Sequence, residues 1–111
     1  MADKSLFDNI SYETSKLTTL RYSTSFSKAI KVLNVRFHEP IFNIYGFVRF
    51  ADESVETFHD FNKKERLEEF TKETYLAIER KISLNPVLNS FQKTVHQYNI
   101  DIELIECFLQ S

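Results

Sequence analysis

The run from Tyr45 to His59 constrains this chain more than any other stretch. At about 100° per residue, Ile44, Phe47, Val48, Phe50, Ala51, Val55 and Phe58 cover most of a helix's circumference, the pattern of a helix enclosed by protein. Such a helix needs others around it, and the flanking segments carry helical periodicity with no alternating strand pattern. The expected fold is therefore all-α, an antiparallel helical bundle. One narrow stripe of the central helix is polar, because Tyr45, Arg49, Asp52 and Glu56 fall at i, i+4, i+7 and i+11. Enclosed charge must be paired or must bind a ligand. The local solution is an Arg49–Asp52 pair at i, i+3, with Glu56 at the solvated end.

The same stripe permits a metal. Asp52 and Glu56 lie on neighbouring turns of one helix face, where their oxygens can share a hard divalent cation. Mg²⁺ is usually held by one or two protein carboxylates, with water and substrate phosphate oxygens completing the octahedron, so the pair suits a diphosphate anchor better than a closed structural cage. By itself D-x-x-x-E on a helix is weak evidence, since many surface helices carry it by chance.

The remaining segments read as helices that enclose this one. The first ten residues are an expected lead-in, with Asp8, Asn9 or Ser11 available to cap a helix from about Ser11 to Tyr22 whose apolar face is Tyr12, Leu17 and Leu20. Ser23, Thr24 and Ser25 then compete for backbone groups and mark a bend or a new cap, and such hydroxyls beside free N–H groups also suit phosphate oxygens. A helix from about Ser25 to Leu33 carries Phe26, Ile30 and Leu33. After an irregular link, Pro40 suits the first turn of the central helix. Gly46, the only glycine, costs about 1 kcal/mol relative to alanine inside a helix, which a close approach to a neighbour would explain. Asn62 with Glu65 forms a capping-box variant ahead of a helix from Lys63 to Ile82. Asn85-Pro86 opens another with Leu88, Phe91, Val95 and Tyr98 inward. A last helix starts near Asp101 and carries Ile102, Ile105, Phe108 and Leu109. Asp101, Glu103 and Glu106 serve its N-terminal dipole.

Several function classes fall away. A net charge of −2 lacks the basic face that phosphate backbones require, so no nucleic-acid partner is expected. His38, His59 and His96 have no paired ligand spacing, and no nucleophile elbow exists. Lone Cys107 rules out an internal disulfide and is compatible with a reducing cytosol. With no apolar run of membrane-spanning length and no signal peptide, a cytoplasmic chain is expected, contact with a membrane surface being left open.

Two stretches together resemble a known family. The run Ile44-Tyr45-Gly46-Phe47-Val48-Arg49-Phe50-Ala51-Asp52-Glu53-Ser54-Val55-Glu56 is similar to the first aspartate-rich motif of the squalene/phytoene synthases, and Tyr22-Ser23-Thr24-Ser25-Phe26 upstream is similar to their S-x-S-F element. The resemblance implies the amino-terminal portion of an isoprenoid-synthase-type fold. It also implies head-to-head joining of two prenyl diphosphates, farnesyl or geranylgeranyl, through a cyclopropyl diphosphate intermediate. Asp52 and Glu56 would then be Mg²⁺ ligands, Arg49 a diphosphate clamp, Tyr45 and Phe26 cavity walls, and Tyr22, Ser23 and Ser25 further substrate contacts. Glu56 stands where the family usually has Asp. The second aspartate-rich motif is absent, and no capping signal closes the last helix, so residues 1–111 read as a partial domain truncated at its C-terminus and inactive alone. In that fold the missing helices would cover Phe26, Tyr45, Val48 and Val55 and also Ile105, Phe108 and Leu109, so self-association through these faces is expected. The alternative is a helical interaction module without catalysis.

Overall fold

A computed structural model of the chain describes residues 3–56 and 62–110. It is all-α among these residues: α1 (Lys4–Tyr22), α2 (Thr24–Val32), a 3-10 turn (Val35–Phe37), α3 (His38–Glu56), α4 (Lys63–Arg80), α5 (Pro86–Tyr98) and α6 (Ile102–Gln110). The expected extension of the central helix to Phe58, and His59 beyond it, lie outside the described residues. α3 packs against α1, α4 and α5, and α5 also packs against α1 and α4. The helix bearing Asp52 is therefore central, as its apolar circumference requires.

Phe47 of α3 anchors the core. Its ring lies parallel to that of Phe91 on α5, with centroids 3.8 Å apart, and meets Phe70 of α4 at 5.6 Å and Phe108 of α6 at 5.6 Å. Ala51, Ala77, Leu88, Val95, Ile105 and Leu109 complete the cluster. Local chemistry sets the helix starts. The Asn62 side chain accepts from the Glu65 N–H and donates to its carboxylate. Asn85 accepts from the N–H groups of Val87 and Leu88 with Pro86 in the first turn, and Asp101 accepts from the Glu103 N–H.

α1 differs from its expected form at both start and face. Asp3, not Asp8, Asn9 or Ser11, caps it by accepting from the N–H groups of Ser5 and Leu6, so the first ten residues are mostly helix. The side it buries carries Ser11, Ser15, Thr18 and Thr19, while Leu6, Ile10, Leu17 and Leu20 are exposed. The cause is tertiary. Ser15 sits against Gly46, and its hydroxyl shares a 2.6 Å hydrogen bond with Ser90 of α5. Asn89 of α5 donates to Ser11 at 3.0 Å and to Asp8 at 2.9 Å. Small side chains let the three helices approach closely, and the hydroxyls of Ser11, Thr18 and Thr19 are satisfied by carbonyls one turn back.

Four smaller differences follow from the same packing. Of the expected α2 face only Ile30 is buried, Phe26 and Leu33 being exposed. α4 stops at Arg80, two residues before Ile82, because Lys81 turns into the left-handed region (φ 60°). Tyr98 and Ile102 are exposed. Ile105 and Leu109 are buried, and Phe108 packs on Phe47, so the α6 face expected to await missing helices belongs to this chain's own core.

Candidate functional site

The corner between α1 and α2 is built on Ser23. Its N–H closes α1 by donating to the Thr19 carbonyl, and its hydroxyl opens α2 by accepting from the Phe26 N–H at 3.1 Å. The plain capping role of this serine is thus realised. Tyr22 and Phe26 stand on either side of the corner, and both reach the same helix. The Tyr22 ring lies under the Arg49 guanidinium at 4.7 Å, and Phe26 stacks on Tyr45 with centroids 5.2 Å apart and planes at 28°. Tyr45 and Arg49 are one turn apart on α3, so two sequence motifs separated by the link before Pro40 meet along one edge. Ser25 lies at the exposed start of α2.

Arg49 is not paired with Asp52. Its Nη2 donates to Glu53 at 2.8 Å and to Glu56 at 3.1 Å. The i, i+4 reach to Glu53 wins over the i, i+3 reach to Asp52, and Glu53 was the residue missed by reading the stripe as Tyr45, Arg49, Asp52 and Glu56. Helix spacing alone was the signal that could have found it. The two contacts differ in kind: the Glu53 side chain is 15% exposed and that of Glu56 63%. Desolvation opposes the Arg49 charge, but hydrogen bonds from Glu56 and Glu53 and the charges of both outweigh it and raise the guanidinium above its ordinary value. Hydrogen bonding to Glu53, then desolvation and the Glu53 charge, holds the Tyr22 phenol above its ordinary value despite the opposing Arg49 charge. Arg49 Nε is buried without a hydrogen-bond partner among the described residues.

Asp52 is half-buried and takes no part in the arginine's pairing, which leaves its carboxylate facing away from that network. Two hard carboxylates on successive turns, one outside the pairing and one in its solvated arm, are a donor set that fits Mg²⁺ with water and phosphate oxygens. Among the described residues no group of three or more His, Cys, Asp or Glu side chains converges. His38 and His96 instead donate to the carbonyls of Leu33 and Ile78. Beside the arginine network, between α3 and α4, lies a cavity of about 380 Å³ whose lining includes Tyr22, Phe50, Glu53, Arg66 and Phe70. A larger hollow of about 670 Å³ lies between the start of α1 and the end of α4, and none of the residues singled out from the sequence lines it. No helix among the described residues is long and apolar enough to cross a membrane.

A family model described as squalene/phytoene synthase matches residues 19–111. That span begins just before the Ser23 corner and takes in all of α2 to α6. No curated protein and no solved structure matches the chain.

Proposed function

This chain belongs to the squalene/phytoene synthase family, and from that premise we propose that it forms the amino-terminal part of a Mg²⁺-dependent head-to-head prenyl synthase domain, supplying one diphosphate-binding wall for farnesyl or geranylgeranyl diphosphate. The observation that supports this reading is the meeting of the Tyr22–Phe26 corner with the Tyr45–Arg49 edge of α3. Arg49, held charged by its carboxylates, offers a fixed cation to diphosphate oxygens. Phe26 and Tyr45 present stacked π faces that tolerate a carbocation while excluding water. Ser25 offers an exposed hydroxyl, and Ser23, whose oxygen already accepts from Phe26, retains its proton to donate. Asp52 and Glu56 would hold the cation. When bound, Mg²⁺ supplies charge to a departing diphosphate. The cavity beside Glu53 falls within the size range of small-molecule sites.

The reading places the chain in the cytoplasm with its substrate's lipid tail near a membrane surface. Only one acidic pair of this kind occurs in these residues, so weak diphosphate binding without turnover is proposed for the isolated 111 residues. Incubation with geranylgeranyl or farnesyl diphosphate and Mg²⁺, followed by hydrocarbon extraction, tests this. Phytoene or squalene formed in an Asp52-dependent way would show that the isolated chain is a complete catalyst.

A second reading, a helical interaction module, is favoured by one observation. Leu6, Ile10, Leu17 and Leu20 form an exposed apolar stripe along α1, a more extensive face for self-association than the α6 residues expected from the sequence. Sedimentation at micromolar concentration distinguishes the two: a clean monomer removes the support for the module.

A further inference from the structure

The Arg49 guanidinium has three neighbours of unequal hold. Glu53 accepts at 2.8 Å from a largely enclosed position, and Tyr22 lies beneath the cation at 4.7 Å. Glu56 accepts from the same Nη2 atom, but at 3.1 Å and from a side chain that is 63% exposed. Exposed ion pairs are weak because water and salt screen them. Arg49 Nε, enclosed and without an acceptor, marks a guanidinium whose hydrogen bonding is incomplete in this arrangement. Glu56 is thus the partner most easily exchanged, and it is also the carboxylate that would have to turn toward a cation shared with Asp52.

We propose that Glu53 is the positioning residue of this site: it keeps the Arg49 guanidinium against Tyr22, so that Glu56 can leave the arginine for a divalent cation without the arginine following it. The inference rests on the function proposed above. Arg49 then plays two parts in sequence. Before the cation arrives it neutralises Glu56 in the cation's place. Afterwards, still held by Glu53, it has an Nη2 proton free for a diphosphate oxygen. Metal and arginine are competitors for Glu56 and partners toward diphosphate, which gives the arginine variant an effect of unusual sign.

The test is a titration of the 111-residue chain with Mg²⁺ alone, read by the backbone amide shifts of residues 49–56, with circular dichroism confirming that each variant keeps its helices. Arg49→Gln is expected to tighten Mg²⁺ binding by about two- to five-fold, the range of an exposed ion pair released, while weakening inorganic pyrophosphate binding in the presence of Mg²⁺. Glu53→Gln is expected to weaken Mg²⁺ binding, because an arginine without Glu53 falls back on Glu56. In the Arg49→Gln background the Glu53→Gln effect should largely vanish, the signature of a residue acting through another. Equal weakening by Glu53→Gln in both backgrounds would mean that Glu53 acts only through its own charge, and an Arg49→Gln chain that binds Mg²⁺ no tighter would mean that Arg49 does not compete; either overturns this proposal alone. Mg²⁺ binding that is absent, or unchanged in Asp52→Asn, overturns the metal reading beneath it as well.

Discussion

Gly46 of α3 lies so close to Ser15 of α1 that a β-carbon at position 46 would stand 2.8 Å from Ser15 Oγ and 3.2 Å from Ser15 Cα. The serine cannot easily yield, since its hydroxyl is bonded to Ser90 at 2.6 Å. Gly46→Ala gains about 1 kcal/mol of helix propensity but forces α1 and α3 apart, an overpacking penalty of about 1–3 kcal/mol. A net loss of stability is expected in urea denaturation. The loss should shrink in a Ser15→Gly background, where the opposing atoms are gone. A Gly46→Ala chain more stable than the wild type would contradict this packing.

Asp8 links acid stability to the α1–α5 seam. Its carboxylate accepts from Lys4 at 2.8 Å and from Asn89 at 2.9 Å. Desolvation pushes its pKa up, but those hydrogen bonds and the charges of Lys4 and Lys93 bring it below the ordinary value. A carboxylate with a depressed folded-state pKa stabilises the fold above its unfolded value, about 3.9, and that contribution is lost as pH falls through the folded pKa. The stability gap between the wild type and Asp8→Asn should therefore close as the pH is lowered below about 4. A gap that stays constant from neutral to acid pH would remove Asp8 from the account.

Lys81 ends α4 in the left-handed region, with φ 60°, where a β-carbon meets backbone and glycine does not. Lys81→Gly should raise stability by about 1 kcal/mol, measured as a higher urea midpoint with an unchanged slope. A destabilised variant would indicate that the lysine side chain does more than end the helix.

Much of this fold was legible because its punctuation is local. The Asn62–Glu65 and Asn85–Pro86 starts each involve side chain and backbone within one turn, and the Phe47-centred core follows from apolar spacing on α3 and α5. The buried face of α1 was not legible, since hydropathy favours Leu17 and Leu20 whereas the choice was made by Gly46, Ser90 and Asn89 on other helices. The start of α1 at Lys4 was missed because residues 4–10 carry no apolar stripe, only the cap at Asp3. The end of α4 carries no glycine to announce it. At the site, the meeting of Phe26 with Tyr45 and of Tyr22 with Arg49 needed the fold, and the choice of Glu53 over Asp52 as the arginine's partner needed side-chain geometry. The chemistry of the edge was readable from spacing, but its internal pairing was not.

The central claim is that the edge of α3 bearing Arg49, Asp52 and Glu56 binds diphosphate through a divalent cation, and calorimetric titration of inorganic pyrophosphate into the chain, with and without Mg²⁺, tests it most directly. The account predicts weak binding that requires Mg²⁺ and is lost in Asp52→Asn while the helical circular dichroism persists. Pyrophosphate binding that is indifferent to Mg²⁺, or that survives Asp52→Asn unchanged, would contradict it.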